Sequence, residues 1–160
     1  MRTLESKLVP RNALAALSQE LHSKPGTIIS TNGCFDILHL GHIRYLSEAR
    51  SFGTVLVVGV NSDASVKKLK GPSRPVFDET TRALQLAALE CVDFVTVFAQ
   101  PTPETFLSLL KPHIHVKGGD YKIEDLPERK TVAEGGGTIR IVPLVPGNSS
   151  SSLIDKIQRL

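Results

Sequence analysis

The chain has 160 residues, 41% of them hydrophobic and 22% charged, which is the balance of one soluble globular domain with a real core. A net charge of +3 with no dense Lys/Arg tract, and only 5% aromatic residues, suits an anionic small molecule and argues against a nucleic-acid surface. Cys34 and Cys91 are far apart without metal-type spacing, the N-terminal stretch lacks a signal-like apolar core, and no apolar run nears the ~20 residues of a membrane span; a cytoplasmic setting with free thiols is expected.

Residues 1–25 read as a helical lead-in, with Leu14, Leu17 and Leu21 at helical spacing, and 26–160 as the core of a single domain. "GTIIS" is a β-branched run bounded by Gly26 and Asn32-Gly33, a buried strand. "GHIRYLSEARSFG" places Ile43, Leu46 and Ala49 on one helical face and stops at Gly53, the expected C-cap. "TVLVVGV" is apolar on both alternating faces, as in a strand covered on both sides. "SDASVKKL" predicts a short helix capped by Ser62 or Asp63, "GPSRPVF" a loop, and "DETTRALQLAALE" a helix with Asp78 in the cap region. A strand "DFVTVF", a helix "TPETFLSLL" with Pro103 near its first turn, and a strand "HIHVK" follow. A helix over 125–134, the strand "GTIRIVPLV" and a closing helix in "SSSSLIDKIQRL" complete the chain. Strands and helices alternating at these lengths predict an α/β fold, a parallel sheet of about five strands with helices on both faces.

Ligands of such a sheet sit beyond the carboxyl ends of the strands, where the strand order reverses. Three segments of unusual composition follow strands and converge on that edge: "TNGCFDILHLGH", "KGGDY" and "PGNSSSS". In the first, Gly41 allows close backbone approach, and His42 opens a helix whose free N–H groups attract anions. His39 and His42 would lie on one side of that turn, two compact donors suited to charge developing on a phosphorus. A zinc site built from four histidines is a rival, weakened by the lack of a common zinc spacing or an acidic cluster. His113 and His115, two apart on a strand, read first as structural. The dinucleotide G-x-G-x-x-G and the Walker A loop are both absent.

"TNGCFDILHLGH" resembles the H-x-G-H signature of the cytidylyltransferase-like nucleotidyltransferases, and "GNSSSS" is similar to their second signature at the last helix. "VGVNSDASVKKLKGPSRPV", "ALECVDFV" and "VKGGDY" look like the D-glycero-D-manno-heptose 1-phosphate adenylyltransferases, the second half of bifunctional ADP-heptose synthases. The resemblance runs from about residue 27 to 158 with the motifs in order. It implies a Rossmann-like three-layer sandwich and transfer of an adenylyl group from ATP to the heptose 1-phosphate. Mg²⁺ would be bound mainly through the triphosphate, with no side chain singled out as its ligand. By motif position, His39, His42 and Lys70 (or Lys68) would be catalytic. Asn32, Gly33, Cys34, Phe35, Gly41, Lys117, Gly118, Gly119, Asp120, Gly147, Ser149 and Ser150 would join the two histidines in binding the nucleotide. Asp36, Asp63, Lys70 and Arg82 would bind the sugar phosphate.

Related glycerol-phosphate cytidylyltransferases have an Arg where this chain has Leu144, and Asn148 with the serine run departs from the subgroup's usual residues. A CTP- or GTP-using enzyme acting on a related sugar or polyol phosphate stays open, as does a non-catalytic nucleotide-binding regulator. A homodimer is expected, with a separate sugar kinase upstream and no nucleic-acid or membrane partner.

Overall fold

Five strands lie side by side in the order β3-β2-β1-β4-β5, and every neighbouring pair is parallel. They are β1 (Ile28–Gly33), β2 (Val55–Asn61), β3 (Phe94–Phe98), β4 (Ile114–Gly118) and β5 (Thr138–Val142). The helices are α1 (Leu14–His22), α2 (Leu40–Ser51), α3 (Asp63–Lys70), α4 (Glu79–Ala87), α5 (Glu104–Leu110), α6 (Arg129–Glu134) and α7 (Ser150–Gln158). This computed structural model describes residues 3–144, 146–147 and 149–160. Among them, no helix is long and apolar enough to cross a membrane.

The layering follows from strand alternation. Ile29, Leu56, Val58 and Val60 point to one face and bury against Leu46 and Ala49 of α2 and Leu86 of α4. Ile28 and Val57 point to the other and bury against Leu14, Phe106, Leu107 and Val132 of α1, α5 and α6. The expected three-layer, Rossmann-like sandwich is the fold observed. The segment before α1 belongs to it: Leu8 bridges Val95, and the N–H of Val9 donates to the Val95 carbonyl at 2.8 Å. Lys7 Nζ ties this strap to the carbonyls of Val92 and Leu89, so the outer edge of β3 is covered.

The expected caps at Ser62 and Asp78 are in place, and Ser149 caps α7 likewise, each accepting from the N–H three residues on. Boundaries shift where local chemistry intervenes. β1 continues past Ser30 to Gly33, because Thr31 to Gly33 stay in register with Val58 to Val60 of β2. α2 closes with Phe52 as C-cap, one residue before Gly53. The helix expected over 125–134 is split into a 3-10 turn, Ile123–Asp125, and α6. Pro127 is the reason: the residue before a proline is pushed from helical geometry, and Leu126 sits at φ −79°, ψ 123°. β5 ends at Val142, ahead of Pro143, which has no N–H to offer a ladder.

β1 is the switch point, with the chain stepping one way to β2 and β3 and the other way to β4 and β5. The crevice this creates opens above the carboxyl ends of β1 and β4.

Candidate functional site

A cleft of about 270 Å³ lies at that crevice, floored by Asn32, Gly33, Cys34 and Phe35 from the end of β1. Lys117 and Gly118 of β4, Asn61 of β2, Lys70 of α3 and Ser150 of α7 complete its wall. A lobe of about 220 Å³ continues between the first turns of α2 and α7, lined by His39, Gly41, His42, Ser149, Ser150 and Ser151. Lys70, His42, Tyr45 and Leu144 line both spaces, so these are two halves of one site. Two helix N-termini therefore face the same lobe, each with unpaired N–H groups and the positive end of its dipole.

The chain reaches this geometry through a sharp exit from β1. Phe35 has φ 47°, in the left-handed region that side chains disfavour, and its ring folds back beneath Gly33. A Cβ on Gly33 would stand 3.0 Å from that ring. The same ring lies 5.3 Å from the His42 imidazole. His39 is the N-cap of α2, and its Nδ1 accepts from the His42 N–H at 3.4 Å. The two imidazoles stack with centroids 3.8 Å apart and planes 24° from parallel.

These contacts set protonation. A neutral His39 whose Nδ1 is an acceptor carries its proton on Nε2, free to donate to an anion. Burial lowers its pKa. Burial also dominates at His42, reinforced by His39 and Lys70, and brings its pKa down to about 4. The Ile37 carbonyl opposes that shift without closing a hydrogen bond of normal geometry to Nδ1. Cys34 sits at the floor with its thiol pKa pushed up by burial, so it lines the site as a neutral group.

Three residues expected at the substrate have other duties. Asp36 is buried, and its carboxylate accepts from Arg74 Nε (2.6 Å) and from the N–H groups of Val76 (2.7 Å) and Phe77 (3.1 Å). Burial opposes its ionisation, yet the contacts with Phe77, Arg74 and Val76 win and lower its pKa. Asp36 lines the cleft as well, and these contacts fasten the 71–77 loop beside it. Arg82 is wholly buried, donating to the carbonyls of Phe77 and Cys34 and to Asp63 Oδ1 at 2.8 Å. Asp63 and Arg82 thus form an ion pair, and Arg82 ties it to the Cys34 carbonyl of the cleft floor. Asp120 is exposed, and neither it, Gly119 nor Gly147 is among the residues lining the cleft. Asn148 lies outside the described residues. Of the two lysines weighed, Lys70 reaches the cleft and Lys68 is not among its lining residues.

Several site residues carried no usable sequence signal. Tyr45 bonds Thr31 Oγ1 at 2.6 Å and donates to the Val116 carbonyl at 2.8 Å, cross-linking β1 and β4 under the cleft. Its place one helical turn after His42 is the one hint. Asn61 is buried and lines the cleft, with Nδ2 spent on Ser65 Oγ at 3.0 Å. Arg74 and Glu128 matter only through partners distant in sequence. Among the described residues, no three His, Cys, Asp or Glu side chains gather as a metal site. The cleft presents lysines, imidazoles, amides and hydroxyls, a donor set that fits the phosphate oxygens of a magnesium-bound nucleotide.

Comparison with known proteins agrees with this geometry. Residues 30–156 match the family described as cytidylyltransferase-like. The bifunctional protein HldE of Citrifermentans bemidjiense is 46% identical over 153 residues, 96% of this chain and 31% of that protein. The bifunctional protein HldE of Aliarcobacter butzleri is 48% identical over 142 residues, 89% of this chain and 29% of that protein. The chain thus spans about a third of the length of the curated relatives it matches. Among solved structures, a lipopolysaccharide core biosynthesis protein from Thermoplasma volcanium superposes with a TM-score of 0.63 at 31% identity, covering 78% of this chain and all of that one. A pantoate-beta-alanine ligase from Francisella tularensis shares the fold alone, with a TM-score of 0.58 at 13% identity over 96% of this chain and 78% of that one.

Proposed function

The chain belongs to the cytidylyltransferase-like family, and from that premise we propose that it transfers an adenylyl group from ATP to D-glycero-D-manno-heptose 1-phosphate. The observation that carries the reading is the stacked His39–His42 pair at the start of α2, facing the start of α7, with Lys70 spanning both halves of the cleft. An oxygen of the sugar phosphate attacks the α-phosphorus of ATP, the new P–O bond forms as the α–β bridge breaks, and pyrophosphate leaves in line. A phosphate monoester is already ionised near neutral pH, so the step needs no general base and no covalent intermediate. Catalysis is then positioning and charge neutralisation. His39 and His42 donate to the phosphates, the first-turn N–H groups of α7 with Ser149 and Ser150 hold them, and Lys70 approaches the reacting phosphate.

Asn32 to Phe35 form the floor under the nucleotide, and Lys117 and Gly118 border its base and ribose. Bound through the triphosphate, Mg²⁺ would offset its charge, while Asp36 and Asp63 pair with Arg74 and Arg82. A kinase-type reaction must supply the sugar 1-phosphate, and a homodimer is the expected assembly. Pyrophosphate release measured over a matrix of nucleoside triphosphates and sugar phosphates, with product masses, tests the reading. ATP with the heptose 1-phosphate should give the highest kcat/KM. A preference for CTP or GTP, or for a polyol phosphate, would replace that assignment, and the absence of turnover with every pair would point to a nucleotide-binding regulator.

A further inference from the structure

β1 and β4 run parallel with Ser30 opposite His115. Two residues further toward the carboxyl ends, on the same face, Asn32 of β1 stands beside Lys117 of β4. Both rungs are closed by contacts: Ser30 Oγ lies 2.7 Å from His115 Nδ1, and Lys117 Nζ lies 3.4 Å from Asn32 Oδ1. Glu128, in the turn before α6, sits over both rungs with 1% of its surface exposed. Its Oε1 is 2.9 Å from Lys117 Nζ and 3.7 Å from His115 Nε2. We infer that Glu128 is a positioning residue, which fixes the Lys117 ammonium at the floor of the nucleotide cleft through this buried polar ladder.

The charges of the ladder support this. A carboxylate beside Nε2 draws the imidazole proton to that nitrogen, leaving Nδ1 to accept from the Ser30 hydroxyl. Burial by itself would raise the Glu128 pKa, but its contacts with His115 and Lys117 outweigh that and hold it at about 2. The carboxylate is therefore charged throughout the working range. Lys117 Nζ is held as an ion pair 2.9 Å from Glu128 Oε1 and donates to Asn32 Oδ1, at the edge of the cleft. Ser30, His115 and Glu128 are sealed from solvent, so the ladder meets the cleft only at Asn32 and Lys117, both cleft-lining residues. A buried charge is costly unless it is paired, and Glu128 is paired with Lys117. What this charge fixes is a flexible lysine that otherwise has many rotamers.

The inference rests on the nucleotide reading of the cleft and is tested by binding, apart from turnover. MgATP is titrated calorimetrically into the full chain and into Glu128→Gln, Lys117→Met and the double variant. Glu128→Gln should weaken binding about 10-fold, the scale at which partners that orient a ligating side chain act. The double variant should bind no more weakly than Lys117→Met alone, because Glu128 acts through Lys117. Should Glu128→Gln fail to fold, Glu128→Asp, which keeps the charge but shortens its reach, carries the same comparison. An unchanged dissociation constant in Glu128→Gln, or fully additive losses in the double variant, would overturn the inference and leave the nucleotide reading standing. Failure of the unsubstituted chain to bind MgATP would overturn the nucleotide reading, and this inference with it.

Discussion

His42 should take up a proton when MgATP binds, and the uptake can be sized from the structure. In the free protein, burial and then the neighbouring His39 and Lys70 keep its pKa at about 4, so the imidazole is neutral at pH 7. A phosphate seated between α2 and α7 brings negative charge to within hydrogen-bonding range. One such charge about 4 Å away, at an effective dielectric near 20, contributes about 4 kcal/mol. At 1.36 kcal/mol per pKa unit, that is a rise of about 3 units, to a bound pKa of about 7. The bound pKa exceeds the free one, so His42's share of the affinity is fully present below about pH 4 and is lost as pH rises through about 7. Near pH 7 the complex should hold about half a proton more on His42 than the free protein does. Calorimetry at pH 7 in buffers of different ionisation enthalpy measures total uptake, and His42→Gln removes this residue's share while leaving the nucleotide's own titration in place. Equal uptake by the two proteins would refute the reasoning and move His42 out of contact with the phosphates.

Asp36→Asn leaves Arg74 half-unpaired in a site where the two side chains are 0% and 11% exposed, and should cost about 3 kcal/mol of unfolding free energy. A chemical-denaturation loss below about 1 kcal/mol would contradict the clamp. Lys70→Ala should lower kcat about 100-fold, comparable to removing one transition-state donor, with the melting temperature unchanged because the side chain is exposed. Gly118→Ala puts a Cβ 2.8 Å from Leu144 Cδ2 and 3.1 Å from the Tyr45 ring, and the Leu144 end is the one free to give way. Leu144 should then crowd the cleft, raising KM for the nucleotide while kcat holds; steady-state kinetics over a range of ATP concentrations checks this.

The parts of this protein that were legible in its sequence are those governed by local physics. β1 and β2 show as β-branched runs, the caps at Ser62 and Asp78 show as polar residues ahead of helical periodicity, and His39–His42 shows because the pair sits on one continuous turn. What sequence does not show is which partner each charged group near the motifs finds. Asp36 meets Arg74 from 38 residues away, and Arg82 holds the Cys34 carbonyl from 48 residues away. Glu128 lies in a charged run before a six-residue helix, too short for periodicity to show that it is buried. These pairings share a consequence. Asp36, Asp63 and Glu128 are each matched to a cation, Arg74, Arg82 and Lys117, so none of them repels a polyanion at the cleft. Lys70 lines the cleft and forms no salt bridge among the described residues, which leaves its charge for a phosphate. With each of those carboxylates neutralised by its partner, the charge left at the crevice to favour an anion is that of Lys70.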